Sequence, residues 1–553
     1  MKLVIVETSA QAKRLSDALG EGWRVEPCSG MVRDLPADQL GINLEADFHP
    51  HFTVVPGKGN LVRRLMKALR ECEAVYAATP PTREGEAMAW HVLALSPDVT
   101  DKLVYRVTLT ALTPDAIRAA FAAPRPLNMK QIEAYAAERI VARLVGWSIN
   151  AAARPALGFK TALTDDGMVA LRLLAERDAQ IGTFTPKTRW WASVSFAVEG
   201  IPFTAQVLNA KGTALAIRTA EQAGQLEALL KGGQFWVDKT GQTLKTQPAP
   251  APLTLYRLIE TAARDLDLMP EETLGLVATL YDAGWITSPD TAEMPALHKA
   301  AQAYVRREFG TEYLAAVVPL TTGIAPADVN RTPEALPGDG AAVYALIWKH
   351  FIAAHMSPAQ DKLMGARILV GAAKDKSYPL ELRATAALLY FDGWQRVLPS
   401  DRPDAVLPIL TEGAALQPTS ITVEPVTSDA PVPFSDVGLI DALVDSGVSV
   451  SAAVAALTGL RGAGYVDGET SLSLTETGRT VAAYLAATFG ELTAPTFASE
   501  CAVEVQRIAS GEGQRVEVLR AFWERFGAIL RPAPPVRVAG EHKPIVLRPA
   551  EEV

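Results

Sequence analysis

The sequence predicts a multidomain α/β-plus-α protein, and three observations carry that reading. At 553 residues the chain exceeds what one hydrophobic core serves, so it should divide into roughly three to five domains. The N-terminal 1–125 alternates short β-branched runs with amphipathic helical stretches, the pattern of a mostly parallel sheet covered by helices. Two β-rich stretches, near 190–250 and 359–433, are separated by a helical block. One β domain built from two distant segments is therefore expected.

Within 1–125, "LVIV", "WRVEPC", "FTVV", "AVYAAT" and "LVYRV" read as strands, being rich in β-branched and aromatic residues. "SAQAKRLSDALG" reads as a helix with Ser9 as N-cap and Gly20 as its stop. "NLVRRLMKALREC" places Leu61, Leu65, Leu69 and Cys72 on one stripe. "LTPDAIRAAF" starts with Thr113 as cap and Pro114 at the first helical position. A helical segment spans 126–189, and the first β segment spans 190–250, closing on a Pro-rich linker. Residues 251–358 turn helical, 359–433 return to strand patterns, and 434–530 are helical with a hairpin at "GYVDGETSLSLT". The Pro-rich, charged 531–553 reads as a flexible tail.

Composition excludes several classes. Hydrophobic content of 49% and charged content of 21% describe a folded, neither fibrous nor disordered chain. No apolar run is long enough to span a bilayer, and "MKLVIVETSA" is too short and acidic for a signal peptide; a cytoplasmic protein without membrane contact is expected. Cys28, Cys72 and Cys501 form no CxxC pair, and no HxxxH pair exists, which argues against structural zinc and a disulfide framework. His49 and His51, flanking Pro50, read as surface loop residues. "PGKGN" lacks P-loop spacing. The formal charge of −9 lowers the expectation of a phosphate-gripping surface. Lys58, Arg63, Arg64, Lys67 and Arg70 read as one solvated helix face, and Trp190 and Trp191 as strand packing rather than a base-stacking platform.

Ten phrases, in order, resemble the type IA DNA topoisomerases, specifically bacterial topoisomerase I: "KLVIVET", "CSGMVRDLP", "VVPGK", "AATPPTREGEAMAWH", "ERIVARLVGW", "VALRLLAERD", "LYDAGWIT", "PADVNRTPEAL", "GYVDG" and "LRAFWERFG". They cover roughly 1–530. The resemblance implies a toprim domain, helical and β-arch domains closing a toroid, and an ancestry in breaking and resealing DNA. In such a family the toprim domain holds Mg²⁺ and a tyrosine attacks single-stranded DNA.

Residue by residue, the implied chemistry is depleted. The family's acidic pair before R-E-G-E falls on Pro80 and Thr82. Proline offers no side-chain donor, and a neutral hydroxyl is a poor substitute for a carboxylate toward a hard cation. Glu7 and Glu84 remain as a weak or absent metal pair, and Glu84 also suits the first turn of a helix. Ser288 stands at the tyrosine position in "ITSPDTAE", with Asp290 at the following arginine. An alkyl hydroxyl is a poorer attacking and leaving group than a phenol, and serine is shorter by a ring. Tyr281 reads as a helix residue, not a replacement nucleophile. Gln11 replaces the first lysine after the opening strand and leaves Lys13; Met31 and Thr321 replace histidines; Asp165 and Ala325 replace arginines; Val450, Ser451 and Val454 fall on arginine, proline and tyrosine. Glu138 occupies a usually basic position.

Random decay would erode scaffold and site alike, whereas these losses fall on groups that would touch metal, phosphate or DNA. Glu138, Asp165 and Asp290 turn attraction for phosphate into repulsion. The expectation is a pseudo-enzyme acting by binding, as scaffold or regulator, with a protein partner. DNA would meet an unfavourable groove, and Arg83 and Lys13 are the remaining candidate DNA contacts. No cofactor is expected, with Mg²⁺ required only if activity survives. Two other readings stand beside it: a divergent topoisomerase using Ser288 with Glu7 and Glu84, and a non-catalytic DNA-binding protein.

Overall fold

A computed structural model describes residues 1–158, 162–289, 295–317, 323–468 and 470–530. The N-terminal unit is built on a four-stranded sheet. Its parts are β1 (Lys2–Val6), α1 (Ser9–Leu19), β2 (Trp23–Pro27), two short antiparallel pairs, α2 (Gly59–Glu71), β7 (Ala74–Ala77), α3 (Arg83–Leu93), β8 (Leu103–Arg106) and α4 (Pro114–Ala122). The short pairs join β3 (Arg33–Asp34) to β6 (Thr53–Val54) and β4 (Ile42–Asn43) to β5 (His49–Pro50). The sheet runs β2-β1-β7-β8, all parallel. Alternation along β1 explains its burial on both sides. Leu3 and Ile5 face α2 and α3, while Val4 and Val6 face α1 and α4. "FTVV" contributes only the two-residue β6, outside this sheet.

The capping residue of α1 is Thr8, not Ser9. Thr8 accepts from the Gln11 backbone, and the Gln11 side chain returns a bond to the cap. That reciprocal capping box favours Thr8 over its neighbour. Thr113 caps α4 with Pro114 inside the first turn.

Two long helices, α5 (Met129–Leu157) and α6 (Asp165–Gly182), lead away from this unit. Strands β9 (Thr188–Val198), β10 (Ile201–Asn209) and β11 (Gln234–Gln247), with α7 (Ala220–Lys231), precede α8 (Leu255–Leu266), α9 (Pro270–Asp282), α10 (Pro295–Glu308) and α11 (Ala341–Ala353). The chain then returns as β12 (Ala359–Ala373), β13 (Lys376–Phe391), β14 (Ala415–Leu416) and β15 (Pro418–Thr427). These strands join their distant partners in one seven-stranded sheet, β14-β11-β12-β13-β10-β9-β15. Trp191 of β9 is exposed and Trp190 half-buried.

The last segment holds α12 (Asp436–Asp445), α13 (Val450–Gly462), the hairpin β16 (Val466–Asp467) with β17 (Ser473–Leu474), α14 (Glu476–Phe489), α15 (Pro495–Ser510) and α16 (Arg515–Leu530). Its buried Leu439, Leu457, Leu485 and Phe526 share a core with Leu144 of α5 and Leu171 of α6. Residues 253–356 have a core of their own, including Leu258, Val277, Ile347 and Phe351. No helix among the described residues is long and apolar enough to cross a membrane.

Candidate functional site

Glu7, Pro80, Thr82 and Glu84 lie at the end of the parallel sheet, and Ser288 lies where the helical unit of 253–356 pairs with the same domain. The β1 strand delivers Glu7, half-buried, at its C-terminal end. The β7 strand leads through Thr79, Pro80 and Thr82 into α3. Thr82 is the N-cap of α3: its Oγ1 accepts from the Gly85 amide at 2.9 Å. The Pro80 carbonyl accepts from the Arg106 guanidinium. Gly85 is required here, because a Cβ would lie 2.0 Å from the Pro80 oxygen. Thr79 Oγ1 closes the turn by donating to the Gly85 carbonyl at 2.6 Å.

Glu84 lies exposed in the first turn of α3. The surrounding protein and the Glu138 charge raise its pKa above the ordinary carboxylate value. Burial raises the Glu7 carboxyl too, followed by repulsion from Glu84 and Asp282, with Lys58 opposing. Lys58 therefore departs from the solvated-face reading. It precedes α2, and its ammonium donates to the Ser29 and Met31 carbonyls at 2.6 and 2.7 Å. Arg64 and Lys67 do pair with acids of their own surface, Glu26 and Glu71.

Arg83 is already engaged, donating to Glu138 at 3.0 Å. Lys13 is exposed on α1. Asp165 and Asp166 form the first turn of α6 behind the Thr164 cap. Burial raises the Asp165 pKa, and burial with the Asp165 and Glu138 charges pushes Asp166 up to about 7. Arg139, beside Asp165, is held by Asp34 through two bonds of 2.9 and 2.7 Å.

Ser288 follows α9 in a short extended stretch, Ile286 to Ser288. One side of that stretch bonds to Ala325, with the Thr287 amide at 2.9 Å from its oxygen. The other side bonds to the N-terminal unit: Ala111 bridges Thr287, and the Ser288 amide donates to the Thr110 carbonyl at 2.8 Å. Ser288 is only 2% exposed. Tyr281, on α9, donates its hydroxyl to the Leu109 carbonyl at 3.2 Å. Asp290 and Thr321 lie outside the described residues. Ala325 is fully buried, and Val454 lies in the core beside α6.

Two residues that organise this region, Glu86 and Asp282, escaped sequence reasoning. Glu86 is buried and accepts from Arg106 at 3.0 Å, from Arg125, and from the Asn128 amide at 3.1 Å. Asp282, at the end of α9, accepts from Thr8 Oγ1 at 2.8 Å and Gln11 Nε2 at 2.9 Å. Only Gln11 carried a local signal, its capping-box spacing from Thr8; the partners of Glu86 and Asp282 are distant in sequence.

Among the described residues, no group of three or more His, Cys, Asp or Glu side chains converges as metal ligands would. What the geometry offers is a set of engaged oxygens and two carboxylates. The toprim-domain family model matches residues 2–112, and the DNA topoisomerase family model matches residues 126–520. Full-length topoisomerase I from Thermotoga maritima superposes with a TM-score of 0.83 at 25% identity, over 96% of this chain and 90% of its own. The parallel sheet is thus a toprim domain, the assembly has the toroid-like fold of that structure, and the chain belongs to the type IA DNA topoisomerase family.

Proposed function

We propose that this family member acts by binding, as a scaffold or regulator, and does not break and reseal DNA. The observation that carries the reading is Ser288. It stands at the position the resemblance gives to the nucleophile, is 2% exposed, and its amide is bonded to Thr110 of the toprim domain. A hydroxyl so placed has no open approach for a phosphodiester, and its intrinsic acidity is far below that of a phenol.

The metal position supports the same reading. A hard divalent cation needs several oxygen donors free to turn toward it. Thr82 spends its hydroxyl on the helix cap, Pro80 has no side-chain donor, and its carbonyl is taken by Arg106. Glu7 and Glu84 alone do not fit a Mg²⁺ site. Glu138 stands where the resemblance gives a basic residue, and its carboxylate adds repulsion for phosphate in place of attraction. The partner we favour is accordingly a protein, in a cytoplasmic setting.

Relaxation of supercoiled plasmid with Mg²⁺ tests the reading. The expected result is no relaxation beyond that of a Ser288→Ala variant. Robust relaxation that disappears in Ser288→Ala would overturn it in favour of a serine-using topoisomerase. Salt-sensitive binding of single-stranded DNA without relaxation would point instead to a non-catalytic DNA-binding protein, for which the family membership is the specific support.

A further inference from the structure

The toprim domain and the 253–356 unit each have their own apolar core, yet several of the contacts joining them are polar. Asp282 is the centre of these contacts. Its two carboxylate oxygens take one bond each, from Thr8 Oγ1 at 2.8 Å and Gln11 Nε2 at 2.9 Å. Gln11 is 5% exposed and fixed from both ends: its Oε1 accepts the Glu7 amide at 3.1 Å. One helical turn onward, Arg14 reaches the Leu112 and Ala283 carbonyls. Arg14 lies over Gly284, whose φ of +67° and crowded Cβ position suit only glycine. These bonds lie beside the backbone pairing of 110–111 with 287–288 that seals Ser288.

We infer that Asp282, Thr8 and Gln11 form a metal-free clasp that holds the junction shut over Ser288, and that Asp282 controls its opening. Two features argue for a clasp and not for ordinary packing. Asp282 is only half-buried at the end of its helix, so its removal exposes little apolar surface. The two directed bonds also end on one side chain, one on each oxygen, so a single rotation of the Asp282 carboxylate releases both. No cation is needed: the donors on the toprim side are a hydroxyl and an amide. The inference is independent of whether the chain cleaves DNA, since it concerns access to position 288 and not chemistry there.

Thiol labelling tests it on the full chain. Ser288→Cys places a reporter under the clasp, and the native Cys28 and Cys72, 0% and 5% exposed in the toprim core, report unfolding of that domain. Site-resolved mass spectrometry of maleimide labelling would compare this variant with the same variant carrying Asp282→Ala. The expected result is labelling at 288 at least tenfold faster in the double variant, with Cys28 and Cys72 unchanged and with EDTA or Mg²⁺ without effect. Equal rates at 288 would overturn the clasp. Acceleration of Cys28 in parallel would also overturn it, by placing the closure in the fold at large. A severalfold slowing by Mg²⁺ would overturn its metal independence. Should Ser288→Cys fail to fold, hydrogen exchange of peptides within 105–112 and 283–289 in Asp282→Asn and Asp282→Ala gives the same discrimination: local acceleration supports the clasp and unchanged exchange refutes it.

Discussion

Replacing Arg106 by methionine tests what anchors the "REGE" helix. Arg106 is fully buried and donates to Glu86 at 3.0 Å, to the Ala77 and Val107 carbonyls at 3.0 and 2.7 Å, and to Pro80. Methionine fills the stem volume but removes all of those donors. Glu86 keeps Arg125, whose side chain is 41% exposed, and the Asn128 amide, so its buried charge is left only partly compensated. Breaking one side of a buried ion pair costs about 3–5 kcal/mol, and the released carbonyls push the value toward the upper end. Native-state hydrogen exchange of the α3 amides reads this locally, without interference from the other domains. Arg106→Met should lower their opening free energy by about 3 kcal/mol or more. Adding Glu86→Leu should recover at least about 1 kcal/mol, because removing both charges is far cheaper than stranding one. A loss below about 1 kcal/mol in the single variant, or a further loss in the double variant, would refute the reasoning.

Gly85→Ala should destabilise the toprim domain by about 1–3 kcal/mol, since its Cβ would meet the Pro80 oxygen at 2.0 Å; an unchanged unfolding midpoint would show that the turn yields freely. Asp166 holds its proton up to about pH 7 in the folded chain, whereas an unfolded aspartate releases it near ~3.9. The folded state thus binds the extra proton in that window, and stability falls as pH rises through it. Asp166→Asn should therefore gain about 1–2 kcal/mol at pH 8 and little at pH 4, and a pH-independent difference would count against the assignment. His355, fully buried, faces His298 at 2.9 Å and the Phe351 carbonyl at 2.7 Å, and burial lowers its pKa to about 4. Its neutral form contributes stability above the ordinary value near ~6.5 that is lost as pH falls toward 4. His355→Gln should flatten that acid slope in thermal melts taken between pH 7.5 and 4; an unaltered slope would place the acid sensitivity elsewhere.

The elements legible in the sequence were those whose signal is local. Four of the five N-terminal strand candidates became the parallel sheet, because continuous β-branched runs such as "LVIV" are what a strand buried on both faces requires. Thr113 with Pro114, and the hairpin at 466–474, carried their own caps and turns. "FTVV" failed since strand propensity does not specify a partner, and only Thr53 and Val54 found one. Long-range polar pairing was not legible. Glu86 in a first helical turn reads as a response to the helix dipole, and nothing near it announces Arg106 or Arg125. Asp282 and Gln11 are 271 positions apart. Lys58 belonged by composition to a charged helix face, yet it precedes the helix and bonds two carbonyls of the 29–31 turn.

The same distinction bears on how the surviving "REGE" should be weighed. Two residues along a helix are about 200° apart, so Glu84 and Glu86 point to opposite sides. Glu84 faces outward and Glu86 is 2% exposed, holding β8 and the start of α5 together. Gly85 admits the Pro80 backbone, and Arg83 pairs with Glu138. Arg83, Gly85 and Glu86 therefore have structural reasons to be what they are, none of which involves a metal or DNA. Persistence of the motif is expected whether or not cleavage persists. Whether cleavage persists accordingly turns on Pro80, Thr82 and Ser288, where the residue types bear on chemistry directly, and the Ser288→Ala comparison in plasmid relaxation addresses the last of these.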